Sequence, residues 1–422
     1  MVNRPAVLLI GRRDDVEEIL FIKEQGYKVV LMNTKIPFED AMIADFPFEM
    51  DLNQEEEAIA KAIEISKRLS IVAVYTNNEY RIVLGAKIAE ALGLQFHLSS
   101  QAALNCRSKA QTRACLTKHQ VSPIQYALIQ TPAEILHILS EMKLPVIVKP
   151  SNDAGSHMVQ KCNTLEEAWS AAELISTNAL NWVGQPLEKH ILVEEYIEGP
   201  EFSVESCTIN GTTHIIAITA KNTSALIEEG HLVPALLSEQ DSTLIQEVVI
   251  KALAVLGVDY IVSHTEVKLS TQGPKVIEVN ARVGGDQIHN LVHAVTGYDL
   301  RKLAFHIVTG GTFASAPRDI PITDSAQIQF LLAYQDGNVR LNKNAAQSIE
   351  GIKQVEISVQ NGDYVTMTKS NYNRLGYMIA HGVDGKHASQ VLNTAKEAMH
   401  FFITKDQDGE VPSSTDKRMG VI

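Results

Sequence analysis

Residues 275–283 read KVIEVNARV, an alternation suited to a strand: Val279, Ala281 and Val283 fall on one face, and Glu278, Asn280 and Arg282 on the other. One face is therefore core, while the other carries a carboxylate, an amide oxygen and a guanidinium. Such groups are costly to half-bury without partners, and Mg2+ bound to phosphate oxygens would satisfy all three. A solvated edge strand is the plainer alternative. Residues 263–269, SHTEVKL, weigh against it, because His264, Glu266 and Lys268 again share a face and the intervening STQGP suits an antiparallel connection. Pairing these strands sets Glu266 across from Glu278, and two carboxylates so close repel unless a cation lies between them.

Lys149 ends the buried run LPVIVKP (144–150) and precedes SNDAGSHM (151–158), small residues whose backbone N–H groups suit phosphate oxygens. A lysine before a turn is equally an ordinary solvated residue. The loop lacks GxxxxGK[ST] and the chain lacks GxGxxG, so neither a P-loop nor a dinucleotide fingerprint is present. ILVEEYIEGPEFSV (191–204) carries a strand through a linker with adjacent carboxylates into a new strand. Such a connector offers backbone groups to an adenine edge and Glu201 to ribose hydroxyls, or else is an acidic surface turn.

The remaining chain frames these segments. Short apolar runs at 6–11, 27–33 and 71–77 alternate with helical periods over about 55–69 and up to Gly93, which predicts a small parallel sheet covered by helices. A helical stretch from Ser108 to about Gln120 precedes Pro123 and further strand patterns. EFSVESCTI (201–209) runs into Asn210-Gly211, a favoured hairpin pair, and then TTHIIAI (212–218). Apolar residues recur at helical spacing over 242–256, ahead of Gly257 as a cap. The last hundred residues, with KQVEISVQ (353–360), YVTMT (364–368), YMIAHG (377–382) and a helix around 388–402, predict a mixed, β-rich cap.

Composition narrows the function. With 422 residues, 45% of them hydrophobic, the chain has material for two or three cores. The excess of 50 Asp and Glu over 37 Lys and Arg disfavours a protein that covers nucleic acid or an anionic membrane. Four cysteines without a CxxC pair suggest neither zinc nor disulfides and fit reduced thiols in a cytoplasm. No stretch approaches the roughly 18 apolar residues of a membrane span, and the start lacks a cleavage site, so the chain reads as neither secreted nor membrane-embedded.

Taken in order, Lys109, Lys149 with SNDAGS, EEYIEGPE, HTEVKL and EVNARVGGD resemble the ATP-grasp superfamily over about residues 108–310. The resemblance implies an α/β and α+β chain of three domains: a Rossmann-like parallel-sheet domain (1–105), a two-lobed ATP-grasp core (106–312) and a carboxylase-like, β-rich C-terminal domain (313–422). ATP would lie between the lobes, with Lys109 and Lys149 on its phosphates. The 151–156 loop, with Ser151, Gly155 and Ser156, would close over them, and Glu194, the backbone of Tyr196 and Ile197, and Glu201 would meet adenine and ribose. Glu266, Glu278 and Asn280 match the Mg2+ ligands, with Mn2+ as a substitute ion. Arg282 matches the arginine that steadies the transferred phosphoryl group, acting with Lys149 and Glu266. TNNEY (76–80) stands at its usual place in the first domain, and NRLGYMIAHG (373–382) is similar to the carboxylase-like branch.

Within the superfamily, HTEVK, EEGHLVPA (228–235) and NARVGGDQIHNLV (280–292) are most similar to bacterial L-amino acid ligases, which make dipeptides. That likeness places Arg282, Gly284 and Gly285 on a substrate carboxylate. It leaves His264 as a substrate contact or a packed strand histidine, and Glu79, from the first domain, as a candidate base. The expected reaction activates an amino acid carboxylate as an acyl phosphate and couples it to an amine, releasing ADP and phosphate. The expected partners are small molecules, neither nucleic acid nor membrane, and a homodimer is compatible. A carboxylase-like or purine-pathway enzyme and a non-catalytic ATP-binding protein are the alternatives.

Overall fold

The computed structural model describes residues 4–12, 16–224 and 226–404. Strands Ala6–Ile10, Lys28–Asn33, Phe46–Glu49 and Ile71–Tyr75 form a parallel sheet in the order third, second, first, fourth. Because successive side chains point to opposite faces, Leu8 and Ile10 pack with helices Glu55–Ser66 and Ile82–Ala91, whereas Val7 and Leu9 share a core with helix Leu300–Val308. Phe305 on that helix meets Phe21, Tyr27 and Tyr75 edge-on, at 5.3, 5.6 and 5.8 Å between ring centres. Each such pair adds about 0.5–1.5 kcal/mol beyond the area it buries, so the first sheet is fixed firmly to the body of the molecule.

The largest sheet has eight antiparallel strands, ordered Gly273–Asn280, Ile261–Ser270, Glu201–Ile209, Thr212–Ser224, Ile227–Val233, Ser325–Leu331, Gly376–Gly382 and Ile352–Ile357. The hairpin at Asn210 and Gly211 forms with both residues left-handed, φ 51° and 70°. Helix Glu239–Leu256 starts where the Ser238 hydroxyl accepts from the Asp241 N–H and stops at Gly257. Leu232 pairs with Gln327 and Val233 with Ala326, so the sheet continues unbroken across the boundary expected near residue 312.

Three expected strands end elsewhere. The strand begun by TTHIIAI runs on to Ser224, bringing Lys221 into the sheet. The strand of residues 275–283 stops at Asn280, and Arg282 turns to bind Glu79. In YVTMT only Tyr364–Val365 pairs, because the Thr368 hydroxyl instead accepts from the Ala333 N–H.

A smaller antiparallel sheet, ordered Tyr126–Ile129, Ile191–Glu195, Val146–Pro150 and Gln160–Cys162, has its own core against helices Ile135–Glu141 and Leu165–Thr177. Together with the 151–158 loop, its inner strands roof a cleft whose floor is the edge of the eight-stranded sheet. Among the described residues no helix is long and apolar enough to cross a membrane.

Candidate active site

The floor is set by strand register. His264 pairs with Asn280, Thr265 with Val279 and Glu266 with Glu278, but Val267 pairs with Val276, leaving Ile277 as the extra residue of a bulge. Ile277 and Glu278 consequently both reach the cleft, a space of about 940 Å3 that opens to solvent. Lys149, Glu194 and Tyr196 line it from the roof, and Lys221, Glu266 and Glu278 from the floor.

Two buried ion clusters hold these charges. Lys221 Nζ lies 2.7 Å from Glu228, 2.7 Å from Glu266 and 3.1 Å from Glu201, and its side chain is 2% exposed. Burial opposes its charge, but Glu228, Glu266 and Glu201 together raise it well above the usual lysine value. Glu266 is pushed the other way, well below its ordinary value, because Lys221 and His264 outweigh its burial. In the roof, Glu194 accepts from Arg113 and stands 2.6 Å from Lys149 Nζ; the two cations overcome its burial and hold it at about 2. Arg113 also donates to the carbonyls of Val276 and Ile277 at 2.7 and 2.6 Å, tying roof to floor. Lys149, by contrast, is lowered by its own burial, with Glu194 opposing that effect.

His264 is 5% exposed. Burial disfavours its charge, yet Glu205 at 2.8 Å from Nδ1 and Glu266 at 3.5 Å from Nε2 raise it to about 9. The ring is thus hydrogen-bonded to Glu205 and ion-paired with Glu266. Gly284 packs on this pair: a Cβ there would stand 2.7 Å from His264 Nδ1 and 3.1 Å from Glu205 Oε2, which explains the glycine.

The 151–158 loop is anchored at its root and covered at its tip. Lys109 Nζ donates to the Asp153 carbonyl at 2.8 Å and reaches Glu278 at 3.1 Å, while Tyr80 from the first domain donates to Asp153 Oδ1 at 2.8 Å. Gly155 is left-handed, φ 66°, and any Cβ would collide with the Tyr372 ring. Tyr372 stacks on Trp182 at 5.4 Å between centres, and His157 meets the same indole edge-on at 5.1 Å. Two neighbours of Tyr372 also reach the site: Asn371 Oδ1 accepts from the Glu228 N–H at 2.9 Å, and Arg374 pairs with Asp286.

Of the residues singled out from the sequence, Lys109, Lys149, Gly155, Ser156, Glu194, Tyr196, Ile197, Glu201, Glu266 and Glu278 line the cleft. Ser151 is fully buried behind it, its carbonyl accepting from the Lys109 N–H. Asn280 and His264 lie two register steps further along the floor, and Asn280 Oδ1 accepts from Arg282 at 3.4 Å. Arg282 donates to Glu79 at 2.8 Å and faces a second, mostly apolar pocket against the first domain. Glu79 is buried; Arg282, Arg107 and Lys109 overcome that burial and lower it. Gly285 leaves open space.

Sequence reasoning missed Arg113, Glu205, Lys221 and the 371–374 segment. Arg113 sits one helical turn after Lys109, and Glu205 alternates with Glu201 and Ser203, so both carried a local signal.

The carboxylates Glu266 and Glu278 supply hard oxygen donors facing each other across paired strands, and Asn280 adds an amide oxygen beside them, a set that fits a divalent ion carrying phosphate oxygens. Residues 142–290 match the ATP-grasp domain. More particularly, residues 329–404 match the L-amino acid ligase C-terminal domain 2. The sequence is 28% identical over 282 residues to alanine–anticapsin ligase of Bacillus subtilis (strain 168), a match covering 62% of this chain and 59% of that protein. It thus spans about three fifths of the length of that curated relative. The fold is similar to an L-amino acid ligase from Bacillus licheniformis (TM-score 0.79, 22% identity, 95% of this chain and 100% of that one). It is also similar to a phosphoribosylglycinamide synthetase from Anaerococcus prevotii (TM-score 0.68, 18% identity, 95% and 100%).

Proposed function

We propose that this protein is an ADP-forming ligase that activates the carboxylate of an amino acid with ATP and couples it to an amine, most simply that of a second amino acid. The observation that carries this reading is the convergence of Glu266 and Glu278 with Lys109, Lys149 and Lys221 on one cleft beneath a glycine-containing loop. Glu266, Glu278 and Asn280 would hold Mg2+, which supplies charge neutralisation at the β- and γ-phosphate oxygens. Lys109 and Lys149 orient the phosphates, and Arg282, fixed by Glu79, spreads the charge that develops on the transferred group. The 151–158 loop excludes water from the acyl phosphate.

Glu228 is the group best suited to take the amine proton. Its burial and its neighbour Asp286 raise it above the ordinary carboxylate value, and it lines the cleft. Glu79, lowered by its arginines, is a weaker base and serves to position Arg282. The likeness to alanine–anticapsin ligase supports an amide product, whereas the phosphoribosylglycinamide synthetase likeness keeps a purine-type acceptor in view. A panel of paired amino acids, read by phosphate release and product mass, tests the proposal. Amino-acid-dependent ADP formation without bicarbonate is the expected result; ADP formation only with bicarbonate or a ribonucleotide amine would overturn it.

A further inference from the structure

Arg374 reaches the site from the C-terminal part of the chain. It follows the Asn371–Asn373 turn and grips Asp286 with both prongs, Nη1 to Oδ2 at 2.9 Å and Nη2 to Oδ1 at 2.5 Å. Its guanidinium lies 3.7 Å from the centre of the Phe330 ring, and Nη1 stands 3.8 Å from Glu228 Oε2. Asp286 and Gln287, directly after Gly284 and Gly285, both hold left-handed backbone, φ 52° and 63°. Such conformations cost free energy in residues other than glycine and persist where the surroundings enforce them.

This pair stands between two spaces. Glu228 lines the nucleotide cleft, while Asp286 and Arg374 line an open groove of about 810 Å3 with Phe330, Glu356, Ser358 and Tyr377. Beneath them His231 is 1% exposed, and neither ring nitrogen has a hydrogen-bond partner among the described residues; Nε2 lies 3.7 Å from both Glu228 and Asp286. Two carboxylates here already face two cations, Lys221 and Arg374. A bare metal ion would upset that balance. A ligand with one negative and one positive end would keep it, since each end replaces a partner of like charge.

We propose that the groove receives the amine-bearing substrate as a zwitterionic α-amino acid, with Arg374 gripping its carboxylate and its amino group directed past Asp286 and Glu228 into the cleft. The assignment rests on the amide-forming reading above and deepens it. The planar fork of Arg374 matches a carboxylate in two places, which point-charge lysine cannot do. Holding the acceptor carboxylate in the groove also keeps it away from the phosphorylating centre. One ammonium proton first passes to Glu228, freeing the lone pair; the nitrogen then bonds to the acyl carbon, the C–O bond to phosphate breaks with its electron pair on the leaving phosphate, and the nitrogen's second surplus proton leaves with that phosphate.

The test compares, with saturating Mg·ATP and donor, an acceptor amino acid against the same amino acid as its C-terminal amide. The wild type should prefer the acid by kcat/KM on the order of 100-fold or more, because the amide leaves the guanidinium without its anion. In R374M that preference should collapse to within about five-fold, and R374K, keeping charge without the fork, should fall between. Should R374M fail to fold because Asp286 loses its counter-ion, R374M/D286N removes both charges together and carries the same expectation. Hydroxylamine separates the two readings: if the wild type forms no hydroxamate from any amino acid, the ligase proposal itself fails. If hydroxamate forms but R374M keeps the full preference for the acid, only the Arg374 assignment is overturned.

Discussion

Glu194→Gln preserves the shape of the side chain and removes one charge from a triad in which Lys149, Arg113 and Glu194 are each at most 4% exposed. Burial alone would raise the Glu194 carboxyl; Arg113 and Lys149 hold it at about 2 instead of the ordinary 4.5. That difference corresponds to about 3 kcal/mol of folding free energy at neutral pH. Since the folded value lies below the unfolded one, the contribution is complete above pH 4.5 and fades as the pH falls towards 2. Urea unfolding at pH 7 should therefore show E194Q weaker by about 3 kcal/mol, the variant leaving two buried cations short of a counter-charge. The same comparison at about pH 3 should show a smaller gap, because the wild type is then losing the same interaction. Mg·ATP affinity by calorimetry should fall as well, since Lys149 is already lowered by burial and Glu194 is what opposes that effect. A variant as stable as wild type at pH 7, or a gap that persists undiminished in acid, would refute the triad's role.

Three further predictions follow from the geometry. Glu278→Gln should lower phosphate release by about 100-fold or more while leaving the melting temperature nearly unchanged, because it deletes a metal-facing charge and no core packing; near-normal turnover removes Glu278 from the site. The His264 ring resonances should stay flat through neutrality and titrate near pH 9, with E205Q lowering that midpoint; the stability it contributes is complete below its ordinary 6.5 and is lost as pH rises through 9. A titration near 6.5 in the wild type would contradict the Glu205 pairing. Gly284→Ala should destabilise by about 1–3 kcal/mol and shift the His264 midpoint, because its Cβ would stand 2.7 Å from Nδ1; an unchanged melt and titration would show that the loop yields without cost.

Local repetition along the chain was enough to place the floor of the cleft. Alternation over 263–269 and 275–283, with a short connection between, dictates that Glu266 and Glu278 oppose each other, and they do. The hairpin at Asn210-Gly211 and the helix ending at Gly257 follow from equally local backbone preferences. Lys221 was hidden because its strand outran the apolar alternation that announced it. What no local period encodes is the pairing of Ile227–Val233 with Ser325–Leu331, about a hundred residues later, and of the latter with Gly376–Gly382. Those pairings carry Asn371, Tyr372 and Arg374 to Glu228, Gly155 and Asp286. The sequence by itself determined that Glu266 and Glu278 face the cleft from neighbouring strands. Only tertiary closure of the eight-stranded sheet decided which distant charges neutralise one another there, because burial and Coulomb attraction depend on distance in space and not on distance along the chain.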